Sequence, residues 1–392
     1  MQKNKDVFIL IPIDGKPEGL PVSEASDLGS DLLKVIGEEA AYECDELIAK
    51  SIERQSLGKA NISYMDDDYD ASGIEWLDMH ITITVQKQTS LGIVMLFIPQ
   101  CRRDVTQIGD MVSSGHIQIR ADGKTYPVQD FIEQRYHVRI CGKIRTVYCF
   151  DREEQDCQAI QYMLAGETDV SVHSHFKIKN DRLEALALRN LASYDFYDLY
   201  ASPNAVVYCI DEFNEDSVEN FEEEALLLFI CEIAVLQNTA LYRINRLIVE
   251  ELMCNSNISP RKTLKLQIEF GKTILLWNNN IYNYYMAQSV SDRIIEAFGT
   301  KEMFTEYKRN KKHIEQIASL KSGIASEIEG KVLNFLALIL SINELIQIVA
   351  HFRSYLSGIS LGYGVLGGTS VTLIFVLILI LRRRKIRHKG KN

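Results

Sequence analysis

His173 and His175 have the simplest metal-binding spacing in the chain. On a β-strand, residues two apart point to one face, where two imidazoles could share a cation. No third ligand lies nearby in sequence, so no metal site is expected. Asp66-Asp67-Asp68-Tyr69-Asp70 has the composition of a cation-binding loop without the EF-hand spacing, and reads as a solvated turn. Asp211–Glu224 gathers eight carboxylates and no base. Acids favour helix N-termini, so a solvated helix start is the plain reading and a divalent-cation sensor between subunits the sharper one. Trp277-Asn278-Asn279-Asn280 and Tyr282-Asn283-Tyr284-Tyr285 read as packing between helices rather than ligand stacking. There is no GxGxxG, no Walker A loop and no HExxH. The expectation is a protein that is not an enzyme, with no assigned cofactor-binding residue.

The 392 residues carry a formal net charge of -10, and that total hides an asymmetry. The last eleven residues hold Arg382, Arg383, Arg384, Lys385, Arg387, Lys389 and Lys391 and no acid, which leaves -10 - 7 = -17 for residues 1–381. So acidic a body is a poor partner for nucleic acid and attracts cations. The apolar run Val7–Ile13 contains Pro12 and stops at Asp14, too short for a secretory signal, so it reads as a strand of a body that is not exported. The eight cysteines show no CxxC pair, as expected of reduced thiols.

Ser354–Leu381 contains no charge, and Gly364–Leu381 is apolar enough to span a bilayer. The basic tail beginning at Arg382, Arg383, Arg384 and Lys385 should stay cytoplasmic and anchor that end. A single span would then place the acidic body outside, with nothing to export it. Two spans resolve this, and Val332–His351 is the candidate for the first. On a helix Asn334, Ala337, Ser341 and Glu344 fall within an arc of roughly 80°. A polar stripe on an apolar helix reads as a pore lining or a helix–helix seam, because a carboxylate in a bilayer faces a cavity, a partner or water. The other reading is an amphipathic helix packed in the soluble body.

Upstream, Val7–Ile13, Trp76–Val85, Leu91–Ile98 and Ala205–Ile210 read as strands, Leu28–Arg54 as a helix, and Tyr136–Phe150 as a hairpin. Beyond residue 215 the pattern is helical: Glu219–Met253, then Leu264–Ala297 after Pro260, and, past Gly299, a stalk from Glu302 towards Val332. The expected fold is therefore an α/β cytosolic domain (1–215), a long helical and stalk region (216–331), a two-helix C-terminal transmembrane hairpin (332–381) and a basic cytoplasmic tail (382–392). The expected location is the inner (cell) membrane, multi-pass, with most of the chain cytoplasmic.

This order of elements over residues 200–392, with the tail RRRKIRHK, resembles the CorA-like cation transporter and channel superfamily. The resemblance implies a homo-oligomer, expected as a pentamer, whose stalk helix continues into a pore-lining first span. It casts Asn334, Ser341 and Glu344 as pore residues and cations as the permeating species. The family's Gly-Met-Asn after the first span is missing from Arg353–Gly364. CorA-like proteins without it are similar to antiviral effectors beside type III CRISPR loci. For those, the resemblance implies gating by a nucleotide second messenger, a conjugate of S-adenosylmethionine and AMP. The alternatives are a constitutive divalent-cation (Mg2+) transporter and a pore-less membrane-anchored scaffold or sensor.

Overall fold

The computed structural model describes residues 4–17, 27–64, 76–101, 117–154, 156–165, 189–211, 213–214, 216–254, 260–278 and 281–357. It divides into two compact units, Met1–Glu315 and Gln316–Asn392. The boundary drawn from the sequence at residue 215 falls inside the first unit.

The spine of the first unit is β1 (Lys5–Asp14). Its apolar residues run on without alternation because both of its faces are covered. Phe8 and Leu10 enter one core, and Val7, Ile9, Ile11 and Ile13 the other. β1 pairs antiparallel with β4 (Leu91–Cys101) and with β8 (Arg145–Asp151). Beyond β4 the sheet continues through β3 (Leu77–Gln86), β2 (Ile52–Tyr64), β5 (Ile117–Ala121) and β6 (Lys124–Pro127). Beyond β8 come β10 (Ala205–Ile210) and β9 (Tyr197–Ala201), and a short β7 (Arg139–Ile140) pairs with the end of β1. β8 and β10 are parallel and the other neighbours antiparallel, so the sheet is mixed.

Helices cover both faces. α1 (Leu28–Glu43), α2 (Glu46–Ser51), α5 (Ser217–Cys254) and α7 (Tyr285–Ala297) share one core, in which Phe8 stacks on Phe97 at 4.6 Å and Phe221 meets Phe97 edge-on at 5.9 Å. α3 (Val128–Tyr136) and α4 (Cys157–Ala165) close the other face through Phe131, Ile132, Tyr136, Ile160, Met163 and Leu164. Gly29 lets α1 approach the sheet closely: a Cβ there would lie 3.2 Å from Thr82 and 3.3 Å from His80. α6 (Pro260–Gly271) and α8 (Thr300–Ser357) complete the order. Cys44, Cys101, Cys141, Cys149, Cys157, Cys209 and Cys231 are free thiols.

Three local expectations change. The single helix over Leu28–Arg54 is instead α1, α2 and the start of β2. Asp45 breaks it by accepting the Leu47 N–H at 2.8 Å and capping α2, while Cys44 bridges to Tyr282. Leu264–Ala297 is α6, a 3-10 turn at Ile274–Trp277 and α7. The intervening chain docks on the α1–α2 corner, where the Asn283 N–H donates to Glu43 O at 2.7 Å and the Asp45 N–H to Ile281 O at 3.1 Å. Tyr136–Phe150 is no hairpin, since β7 and β8 pair with β1 rather than with each other.

The acidic segment Asp211–Glu224 is partly a helix start, as the plain reading expects, but not a wholly solvated one. Glu224 is buried beside Asp6 and Cys149. Asp6, at 0% exposure, accepts the Gln100 N–H at 2.7 Å and the Ser217 hydroxyl at 2.8 Å, which ties β1 and β4 to the first turn of α5. Burial holds Glu224 well above the carboxylate range, helped by the Asp6 charge. Burial likewise pushes Asp6 up to about 6, against the pull of its bonds to Gln100, Ser217 and Asn220. A folded-state value raised from 3.8 to about 6 means that Asp6 favours folding when protonated. Its contribution is complete below pH 3.8 and is lost as pH rises through about 6. That gap of about two pH units is worth on the order of 3 kcal/mol. Asp6→Asn keeps an acceptor without the titration. Melting from pH 4 to 7 should therefore show wild type losing stability relative to Asp6→Asn, and a constant difference would contradict this.

Candidate functional site

Two helices are long and apolar enough to cross a membrane, and they lie in opposite surroundings. In the Ser217–Glu251 part of α5, 89% of the most apolar window is buried in the core, as in a core helix. The Ser326–Ile348 part of α8 has none of its apolar window buried. Leu333, Phe335, Leu338, Leu340, Ile342, Leu345, Ile346 and Ile348 are each at least 49% exposed. At about 1.5–3 kcal/mol for each such side chain fully buried, this surface forgoes on the order of 10 kcal/mol in water. An apolar surface of this kind belongs against lipid or another chain.

The three stripe residues lie on this helix. Asn334, Ser341 and Glu344 are all exposed, and the Ser341 hydroxyl donates to the Ala337 carbonyl at 2.9 Å, one turn back. Arg382, Arg383, Arg384 and Lys385, the return span Gly364–Leu381, His173, His175 and Asp66–Asp70 lie outside the described residues. Gly358-Ile359-Ser360-Leu361-Gly362 has the GxSxG spacing of a nucleophile elbow. It follows directly on the helix α8, without the strand that such an elbow requires. Among the described residues no group of three His, Cys, Asp or Glu could hold a metal ion.

The start of α8 is held from inside the first unit, a feature with no linear signal in the sequence. Gly299, at φ +69, separates α7 from α8. Arg145 of β8, 2% exposed, reaches under this corner. Its guanidinium sits 4.2 Å from the centre of the Phe298 ring, and its Nη2 donates to Asn238 Oδ1 at 3.1 Å and to Phe298 O at 3.5 Å. Nη1 donates to Lys143 O at 3.1 Å. Asn238, on α5, donates onward to Phe298 O at 3.3 Å and to Thr300 Oγ1 at 3.1 Å, and Asn245 donates to Met303 O at 3.3 Å. Burial lowers Arg145 to about 10, which leaves it charged at neutral pH.

A second grip is aromatic. Phe304 and Tyr307 of α8 stack with Trp277 at 5.3 Å and with Phe270 at 4.3 Å respectively. Trp277 therefore packs, as expected, but from a 3-10 turn rather than a helix, with its Nε1–H donating to Thr273 Oγ1 at 3.0 Å.

Compared with known proteins, the chain matches no family model, no curated protein and no solved structure.

Arg145→Met keeps the length and removes the bonds to the root of α8. A hydrogen bond to a charged group contributes about 1.5–3 kcal/mol. Amide hydrogen exchange at residues 299–303 should speed up by roughly tenfold or more, while the strand amides of β1 and β4 keep their protection. Unchanged exchange at 299–303 would contradict the anchoring role.

Proposed function

We propose that the chain is a CorA-like, homo-oligomeric membrane channel, gated from the cytosol by a small nucleotide messenger and serving as an antiviral effector. In this reading the first unit is cytosolic, the apolar part of α8 is the first span, and residues 364–381 return to put the basic tail on the cytoplasmic face. The observation that carries it is α8 itself. One helix starts at a corner where a buried arginine bonds Phe298 O and Asn238 bonds Thr300, and contains, further on, a bilayer-length stretch with no burial.

The polar stripe supplies the chemistry. A Glu344 side chain facing lipid is costly, whereas a ring of them around an aqueous axis favours cations. Ser341 and Asn334 line the same face, about one and about three turns towards the body. Gating needs a ligand that binds one arrangement of the first unit better than another, because only a difference in affinity shifts a two-state equilibrium. The Arg145 and Phe304–Tyr307 grips are where such a rearrangement reaches α8. The missing Gly-Met-Asn favours this reading over constitutive magnesium transport.

The test is Mg2+ and K+ flux through purified protein in liposomes, before and after addition of nucleotide messengers, including the S-adenosylmethionine–AMP conjugate. The expected result is flux only after one of them, with Glu344→Ala lowering cation flux several-fold while leaving the melting of the first unit unchanged. Flux without ligand would establish the constitutive transporter instead. No flux under any condition would establish the pore-less anchor.

A further inference from the structure

We infer that the cleft along the open edge of β2 is a binding site for a phosphate-bearing small molecule. The inference rests on the ligand-gated reading for its consequence and on the following geometry for the site itself.

β5 pairs with β2 only over Asn61–Tyr64. The first half of β2 therefore has β3 on one side and, among the described residues, no strand on the other. Such an edge leaves backbone N–H and C=O groups without a ladder partner. A cleft of about 650 Å3 lies there, within the roughly 300–1,000 Å3 usual for small-molecule sites.

Its charge runs against the rest of the chain. Lys16, Arg54 and Lys87 line it, with Glu53 as the one lining carboxylate, in a protein of net charge -10. Arg54 is a fixed cation. Its Nε and Nη2 bond Glu232 Oε2 at 3.1 and 2.7 Å, and it lies 5.6 Å from the centre of the Phe229 ring. Glu232 in turn is 1% exposed and also accepts the Thr84 hydroxyl at 2.7 Å, so its charge is spent inside the core. Lys87 is shared with Glu53 at 3.2 Å, and Lys16 is exposed with no ion pair to any described residue.

The walls point to phosphate rather than to a base. Their apolar members are Pro17, Ile83 and Val85, with no aromatic ring among the described lining residues, and Ser90 offers a hydroxyl, while that of Ser56 is donated to Asp27 at 3.0 Å. The end of the cleft is shaped by the β3–β4 turn, where Ser90 adopts φ 59 and its carbonyl accepts the Gly15 N–H at 3.0 Å, bringing the Lys16 segment against the turn. Lys16, and Lys87 shared with Glu53, are the ammonium groups that a phosphate would meet here, beside an Arg54 guanidinium held in place by Glu232.

The experiment is calorimetric titration of the full chain in detergent micelles with ATP and with inorganic pyrophosphate. The variants are Lys16→Glu/Lys87→Glu and, as a control, Lys50→Glu, a surface lysine paired with Glu46 outside the cleft. The expected result is saturable binding of both probes, weakened roughly tenfold or more by the double reversal, unaffected by the control and falling with added salt. Absence of saturable binding by both probes, or binding that the double reversal leaves unchanged, overturns the site. Liposome flux on the same preparation reports on the channel separately. Binding that persists while flux fails under every messenger leaves the site standing and removes the channel.

Discussion

Arg145 brings a full charge into the interior and meets, among the described residues, neutral acceptors: the carbonyls of Lys143 and Phe298 and the amide of Asn238. A buried cation without a carboxylate partner is costly to maintain. What it secures is the position of one corner, where α7 ends, Gly299 turns the chain with a positive φ, and α8 begins. The sheet supplies Arg145, the core helix supplies Asn238 and Asn245, and the corner supplies the acceptors. Sheet, core helix and α8 thus share one hydrogen-bond network.

The other buried charges follow a consistent logic. Glu232 neutralises Arg54 at the cleft, while Asp6 and Glu224 lie together at the start of α5. The first pair fixes a guanidinium at the wall of the cleft, with its charge balanced from inside. The second places a titrating group where β1, β4 and α5 meet, so the first unit of this acidic protein is expected to tighten, rather than loosen, in mild acid.

Continuous apolar runs made β1, β4 and β10 readable from sequence, because a strand covered on both faces has no other pattern. Helical spacing made α5 readable, and Gly299 marked the start of α8. β2 escaped notice, since IERQSLGKANISY shows neither alternation nor an apolar run, half of it lying at an open edge and lining a polar cleft. Composition alone could not separate α5 from the far part of α8. Both are long and apolar enough to span, and only tertiary packing shows the apolar stretch of one mostly buried and that of the other bare. The stripe Asn334, Ser341 and Glu344 was visible as a periodicity, and its residues are exposed on α8 together with the apolar ones around them. The Arg145 network was invisible, because its members, at residues 145, 238, 298 and 300, come together only through the fold.

The central claim is that the bare part of α8 crosses a bilayer with the first unit inside the cell. An impermeant maleimide applied to intact cells measures this directly, with a cysteine introduced at Ser357, the last residue of α8, and the exposed native Cys157 as the internal reference. The account predicts that Ser357→Cys is labelled in intact cells while Cys157 is labelled only after permeabilisation. Labelling of both sites only after permeabilisation would contradict it, because α8 would then end on the same side as the body.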